Sequence, residues 1–140
     1  TAFEETGLIV GRPASKPAKT THPVWRDYLS NGAEPPLEHM DFIARAITPA
    51  YRTRRFDTRF FMIHDQFIYN DPKQISDASG ELNELHWLTL NEARQLDLPA
   101  VTRWAIDLVE QRIQLNPREQ LKQSAPFVRF VKGQEISIDL

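Results

Sequence analysis

Apolar and polar positions alternate along this chain in two rhythms, and the rhythm changes with the segment. Leu8-Ile9-Val10 is a short apolar, β-favouring run directly after Phe3-Glu4-Glu5-Thr6, which reads as a helix end with Gly7 at the left-handed cap position. Met40 to Thr48 is a strand by its β-branched and aromatic content, stopped at Pro49, and Phe56 to Phe67 reads as a second long strand. The two form an antiparallel hairpin through the basic connection at 51–55. Leu82 to Leu88 is a third strand, with Leu85 and Trp87 on one face. Helical spacing follows. Thr89 caps a short helix, Leu90 to Leu96, with Glu92 completing a capping box. Beyond Leu98-Pro99, Val101, Trp104, Ala105, Leu108, Val109, Arg112 and Ile113 form one face of a helix over Ala100 to Gln114. The end, 126–139, reads as a hairpin turning at Lys132-Gly133.

Between these periodic stretches lie polar segments. Gly11 to Pro23 holds Pro13, Pro17 and Pro23 among Lys, Ser and Thr, which is loop composition, and His22 is a solvated loop residue within it. Pro23 to Leu29 suits a short helix with proline in its first turn, Trp25 and Leu29 on one face, and Asn31-Gly32 as its stop. Tyr69 to Gly80 is a polar loop.

At 140 residues the chain suits one domain with a core. Seventeen basic against nineteen acidic residues leave a net charge of -2, which gives no reason to expect broad binding to nucleic acid or anionic membranes. With no cysteine, disulfides and thiolate-metal sites are excluded, and a soluble cytoplasmic enzyme is the expectation. No apolar run approaches the roughly 20 residues of a membrane span.

Two stretches carry candidate chemistry. Glu4 and Glu5 are adjacent carboxylates at a helix C-terminus, where the macrodipole disfavours them and a bound cation would remove the conflict. A solvated acidic turn is the plainer alternative. Arg45, Arg54, Arg55 and Arg59 bracket the hairpin connection, and guanidinium forks suit phosphate oxygens. Asp57 lies between Arg55 and Arg59 on the same strand face and could orient either one, while a surface ladder of ion pairs across the hairpin would account for the same residues. His39, His64 and His86 lack metal-ligand spacing and read as structural or surface residues, and Trp25, Trp87 and Trp104 read as core.

Glu4-Glu5-Thr6-Gly7-Leu8 resembles the end of the Nudix box, G-x5-E-x7-R-E-U-x-E-E-x-G-U with U apolar; Ala2 and Leu8 fall on apolar positions and Gly7 on the glycine. Thr1 falls where that family usually has Glu, and the earlier part of the box and the strands before it are absent from this chain. Ala44 to Pro49 with Arg55 to Phe61, Leu85-His-Trp-Leu and Leu90-Asn-Glu-Ala93 are similar to a bacterial Nudix branch related to peroxisomal coenzyme A diphosphatases. The resemblance covers most of the chain from Thr1 to about Ile113.

It implies an α/β fold, an α/β/α sandwich around a mixed sheet, of which this chain is the C-terminal part. Within that single domain, 10–36 would be a Pro-rich loop and short helix, 37–68 a β-hairpin, 82–114 a strand and two helices, and 126–139 a C-terminal hairpin. The activity implied is hydrolysis of the diphosphate linkage of a nucleoside diphosphate linked to another group, coenzyme A among the candidates. Mg2+ or Mn2+ would be held by Glu4 and Glu5, with Glu5 also counted as catalytic. Arg55 and Arg59, with Arg45, would bind substrate phosphate, and Glu81 or Glu84 supplies a candidate general base, Glu81 being the first choice. The partners implied are a small nucleoside diphosphate derivative and a second copy of the chain, not nucleic acid or membrane. The alternatives are a Nudix-like module that binds a nucleotide metabolite without hydrolysing it, favoured by Thr1, and a protein-interaction domain using exposed hairpins. Produced alone, these 140 residues are expected to be unstable and inactive.

Overall fold

The computed structural model describes residues 2–16, 19–71 and 85–140. They divide into two compact units, Thr1–Met40 with Ile63–Trp87, and Asp41–Met62 with Leu88–Leu140. Together they make a mixed α/β chain whose main sheet has four strands.

In the first unit, α1 (Ala2–Thr6) ends at Gly7, which has a φ of 71° and donates its N–H to the Phe3 carbonyl at 2.8 Å. That is the left-handed helix stop the glycine position predicts. Leu8 to Val10 does not become a full strand. It forms one antiparallel bridge, Val10 to Ile68, flanked by hydrogen bonds from Gly11 N–H to the Phe67 carbonyl and from Tyr69 N–H to the Ile9 carbonyl. The loop expected from Gly11 contains a two-residue strand, β1 (Arg12–Pro13), which pairs antiparallel with β2 (Ala33–Glu34). Gly11 is needed there, because a Cβ would lie 2.7 Å from the Tyr28 hydroxyl and 3.0 Å from the Ala33 Cβ. Between the two short strands, α2 (Pro23–Ser30) begins on a proline and stops at Asn31-Gly32, with Gly32 at a φ of 75°. Exposed His22 precedes it. Ile9, Tyr28 and Ala33 form the core of this unit, with Phe3 and Leu29 packed against them.

The second unit is built on the order β4-β3-β5-β6, with β3 (Asp41–Ile47), β4 (Asp57–Met62), β5 (Pro126–Val131) and β6 (Gln134–Asp139). β3 pairs antiparallel with β4 and parallel with β5, and β5 pairs antiparallel with β6. The strand expected to run from Phe56 to Phe67 stops at Met62. A 3-10 turn over Asp65–Phe67 takes its place, closed by Ile68 N–H on the Asp65 carbonyl, and turns the chain toward the Val10–Ile68 bridge. β3 carries a bulge between Phe42 and Ala44, and Ile43 at that irregularity is only 2% exposed. The C-terminal turn places Lys132 and Gly133 at φ of 51° and 80°, the two left-handed residues of a tight hairpin turn.

Of the third predicted strand, Leu85 to Leu88 run without strand pairing among the described residues, and 82–84 lie outside them. Trp87 is accordingly 66% exposed and Trp25 47%, so neither is the core residue expected; Trp104 is half-buried and meets Phe60 edge-on at 6.4 Å. Val101 and Ile113, assigned to the apolar face of the long helix, are 40% and 53% exposed, while Ala105 and Arg112 are the buried members. That helix, α4 (Ala100–Ile113), follows α3 (Leu90–Gln95). A further short helix, α5 (Pro117–Gln120), was not expected, although Asn116-Pro117 and Glu119 spell a cap, a first-turn proline and a capping box.

The Thr89 hydroxyl accepts from the Glu92 N–H, and Glu92 accepts from the Thr89 N–H at 2.8 Å, which holds the Glu92 carboxyl below its ordinary range. Thr89→Ala is expected to lower stability by about 1 kcal/mol, the usual loss of a helix cap. Chemical denaturation of the two proteins with equal slopes measures it.

Candidate functional site

Glu4 and Glu5 are successive residues of α1, so their side chains leave the helix about 100° apart. Phe3 sets the helix rotation by packing edge-on against Tyr28, with ring centroids 5.9 Å apart, and this leaves both glutamates exposed. The backbone just after them is clamped from a distant part of the chain. Asn70 donates its side-chain N–H to the Gly7 carbonyl at 2.9 Å and accepts the Ile9 N–H at 2.8 Å, spanning Leu8. Tyr28 adds a hydroxyl donated to the Val10 carbonyl at 2.7 Å; burial pushes its phenol pKa up. Thr6 accepts the Leu8 N–H and donates to the Ala2 carbonyl, closing the turn locally. Asn70 had no signal in the sequence, because its partners lie 61 and 63 positions away.

Two exposed carboxylates do not make a closed cation cage, and no group of three or more His, Cys, Asp or Glu is placed for a metal among the described residues. Two carboxylates could supply anionic oxygens to a magnesium or manganese ion that keeps most of its waters.

The arginines lie in the second unit. Arg45 and Arg59 face each other across β3 and β4, and Asp57 lies beside them. Arg45 grips Asp57 with two hydrogen bonds, 2.8 Å from Nε and 2.6 Å from an Nη, while Arg59 approaches the same carboxylate at 3.8 Å. The Arg45 guanidinium also sits 4.7 Å from the Phe127 ring centre. Arg55 stands outside this group, with its Nε 3.4 Å from the Thr48 carbonyl. Asp57, expected to orient Arg55 or Arg59, instead engages Arg45, which the strand register sets diagonally across from it; Arg45 and Arg59 are brought together while Arg55 is not. Glu81 and Glu84 lie outside the described residues. His39 stacks on Phe67 at 4.4 Å, a packing role.

The Arg45 hydrogen bonds hold the Asp57 carboxyl below its ordinary range. A depressed carboxylate contributes stability above its unfolded value of about 3.9 and loses it as pH falls through the folded value. Asp57→Asn is therefore expected to be less stable than the parent at neutral pH, with the difference closing in strong acid. Exposure keeps the effect small. Thermal melts of both proteins across the acid range measure it.

No family model, curated protein or solved structure matches the chain. No helix among the described residues is long and apolar enough to cross a membrane.

Proposed function

We propose that this chain belongs to a Nudix-type α/β/α sandwich that hydrolyses the diphosphate linkage of a nucleoside diphosphate derivative. The observation that supports it is the turn after α1: two exposed carboxylates, a left-handed Gly7, and a backbone clamped by Asn70 directly behind them. A structureless acidic loop would need no such clamp.

In this reading Glu4 and Glu5 would hold a magnesium or manganese ion. The bound ion would neutralise diphosphate charge and make water a better nucleophile. Arg55 and Arg59, with Arg45, bind and orient substrate phosphate, and Asp57 links Arg45 to Arg59. Water attacks one phosphorus, the anhydride P–O bond breaks, and its electron pair leaves on the other phosphate. Glu81 takes the proton of the attacking water.

The test is a panel of coenzyme A, ADP-ribose and dinucleotide polyphosphates assayed with the protein at millimolar magnesium. Metal-dependent cleavage of one of them supports the hydrolase. Tight binding without turnover across the panel would replace it with the nucleotide-sensing reading, which Thr1 in the usual glutamate position favours.

A further inference from the structure

The chain as a whole is slightly acidic, but its charge is unevenly placed. Residues 45–59 contain five arginines and one aspartate, a local charge of +4 within a chain of -2. The aspartate, Asp57, is already bonded to Arg45. What remains lies at one end of the sheet: Arg52, Arg54 and Arg55 on the exposed connection from β3 to β4. Because β5 runs parallel to β3, the β5–β6 turn with exposed Lys132 emerges at the same end, from the strand next to β3. Among the described residues, Arg52, Arg54 and Lys132 have no carboxylate partner.

Two aromatic rings stand among these cations. Tyr51 is 71% exposed and Phe56 is 62% exposed, and the Arg52 guanidinium lies 5.7 Å from the Tyr51 ring centre. Such large exposures of aromatic residues on a strand connection add nothing to a core. Their separation by Arg52, Thr53, Arg54 and Arg55 leaves no continuous apolar wedge of the kind that enters a bilayer. Arginine forks bind phosphate oxygens two at a time, and exposed rings stack with bases of any identity. One diphosphate would not occupy cations spread over two neighbouring turns; a strand of successive phosphates would.

We propose that this end of the four-stranded sheet docks single-stranded nucleic acid, with Arg52, Arg54 and Lys132 on the phosphates and Tyr51 and Phe56 under the bases. The site goes beyond the hydrolase reading and does not rest on it.

The test is fluorescence anisotropy of a labelled single-stranded oligonucleotide of about 16 nucleotides, titrated with the full chain over a range of salt concentrations. Binding is expected to weaken with salt, with a log–log slope that falls by about 0.7 for each phosphate contact removed. Arg52→Ala with Arg54→Ala should therefore lower both the affinity and the slope by about two contacts' worth. Tyr51→Ala should weaken binding about tenfold at unchanged slope, as loss of one stacked base does. Arg118→Ala removes an exposed cation on α5 and should change nothing. Circular dichroism of each variant confirms that it is folded. Absence of binding at low salt, equal loss with Arg118→Ala, or an unchanged slope in the double variant would overturn the proposal. Equal affinity for ADP would overturn the strand in favour of a single nucleotide, and equal affinity for phosphatidylserine vesicles would overturn it in favour of a membrane surface.

Discussion

If the proposed hydrolase reading holds, Glu5→Gln is expected to lower metal-dependent diphosphate cleavage by about 100- to 1,000-fold. The substitution preserves the size of the side chain, removes its charge and turns one acceptor oxygen into an NH2 donor. Glu5 is exposed and lies outside the apolar core, so the core packing of the first unit should survive the substitution. A hard divalent ion is held by anionic oxygen, and an amide is a poor replacement. Steady-state rates over a magnesium series measure the effect, because loss of a ligand shifts the magnesium dependence as well as the maximum rate. Activity within a few-fold of the parent at every magnesium concentration would remove Glu5 from the site and with it the main support for the hydrolase.

Asn70→Ala carries the second large effect, this time through the fold. Its side chain satisfies the Gly7 carbonyl and the Ile9 N–H, both partly buried, and alanine leaves each without that partner. Unmatched buried backbone groups cost about 1–3 kcal/mol, so a stability loss of about 2 kcal/mol is expected. The same clamp fixes the turn that follows Glu4 and Glu5. On the proposed hydrolase reading, Asn70→Ala should thus also shift the magnesium dependence, whereas Thr89→Ala should lower stability alone. Denaturant unfolding beside a magnesium titration separates the two. A variant as stable as the parent would show that water replaces the amide at no cost.

The local elements were readable where one residue type has one conformational use. Gly7 and Gly32 both stand at positive φ immediately after helices, and Lys132-Gly133 makes a tight turn. Thr89 and Glu92 form the capping box their spacing requires. The hairpin of β3 and β4 was legible from its β-branched and aromatic content, but its length was not. β4 ends at Met62 although apolar residues continue, because the next segment turns to pair with Val10. Apolar content indicates burial, and a turn with a distant partner can bury a side chain as well as a strand can.

The candidate site divides along the same line. Adjacent carboxylates before a glycine, and an arginine-rich hairpin around one aspartate, are properties of neighbouring residues and were visible in the chain. Which arginine Asp57 engages depended on the register that places Arg45 opposite Arg59. Net charge concealed the basic end of the sheet, since a sum over the chain is blind to the parallel pairing that brings the β5–β6 turn beside the β3–β4 connection.

By itself, then, the sequence determined the helix stops, the caps, the tight turns and the types of side chain offered to a ligand, since these depend on φ preferences and hydrogen bonds within a few residues. Only the tertiary structure decided the strand ends, the Asn70 clamp and the order β4-β3-β5-β6, because each requires partners brought together from tens of residues away.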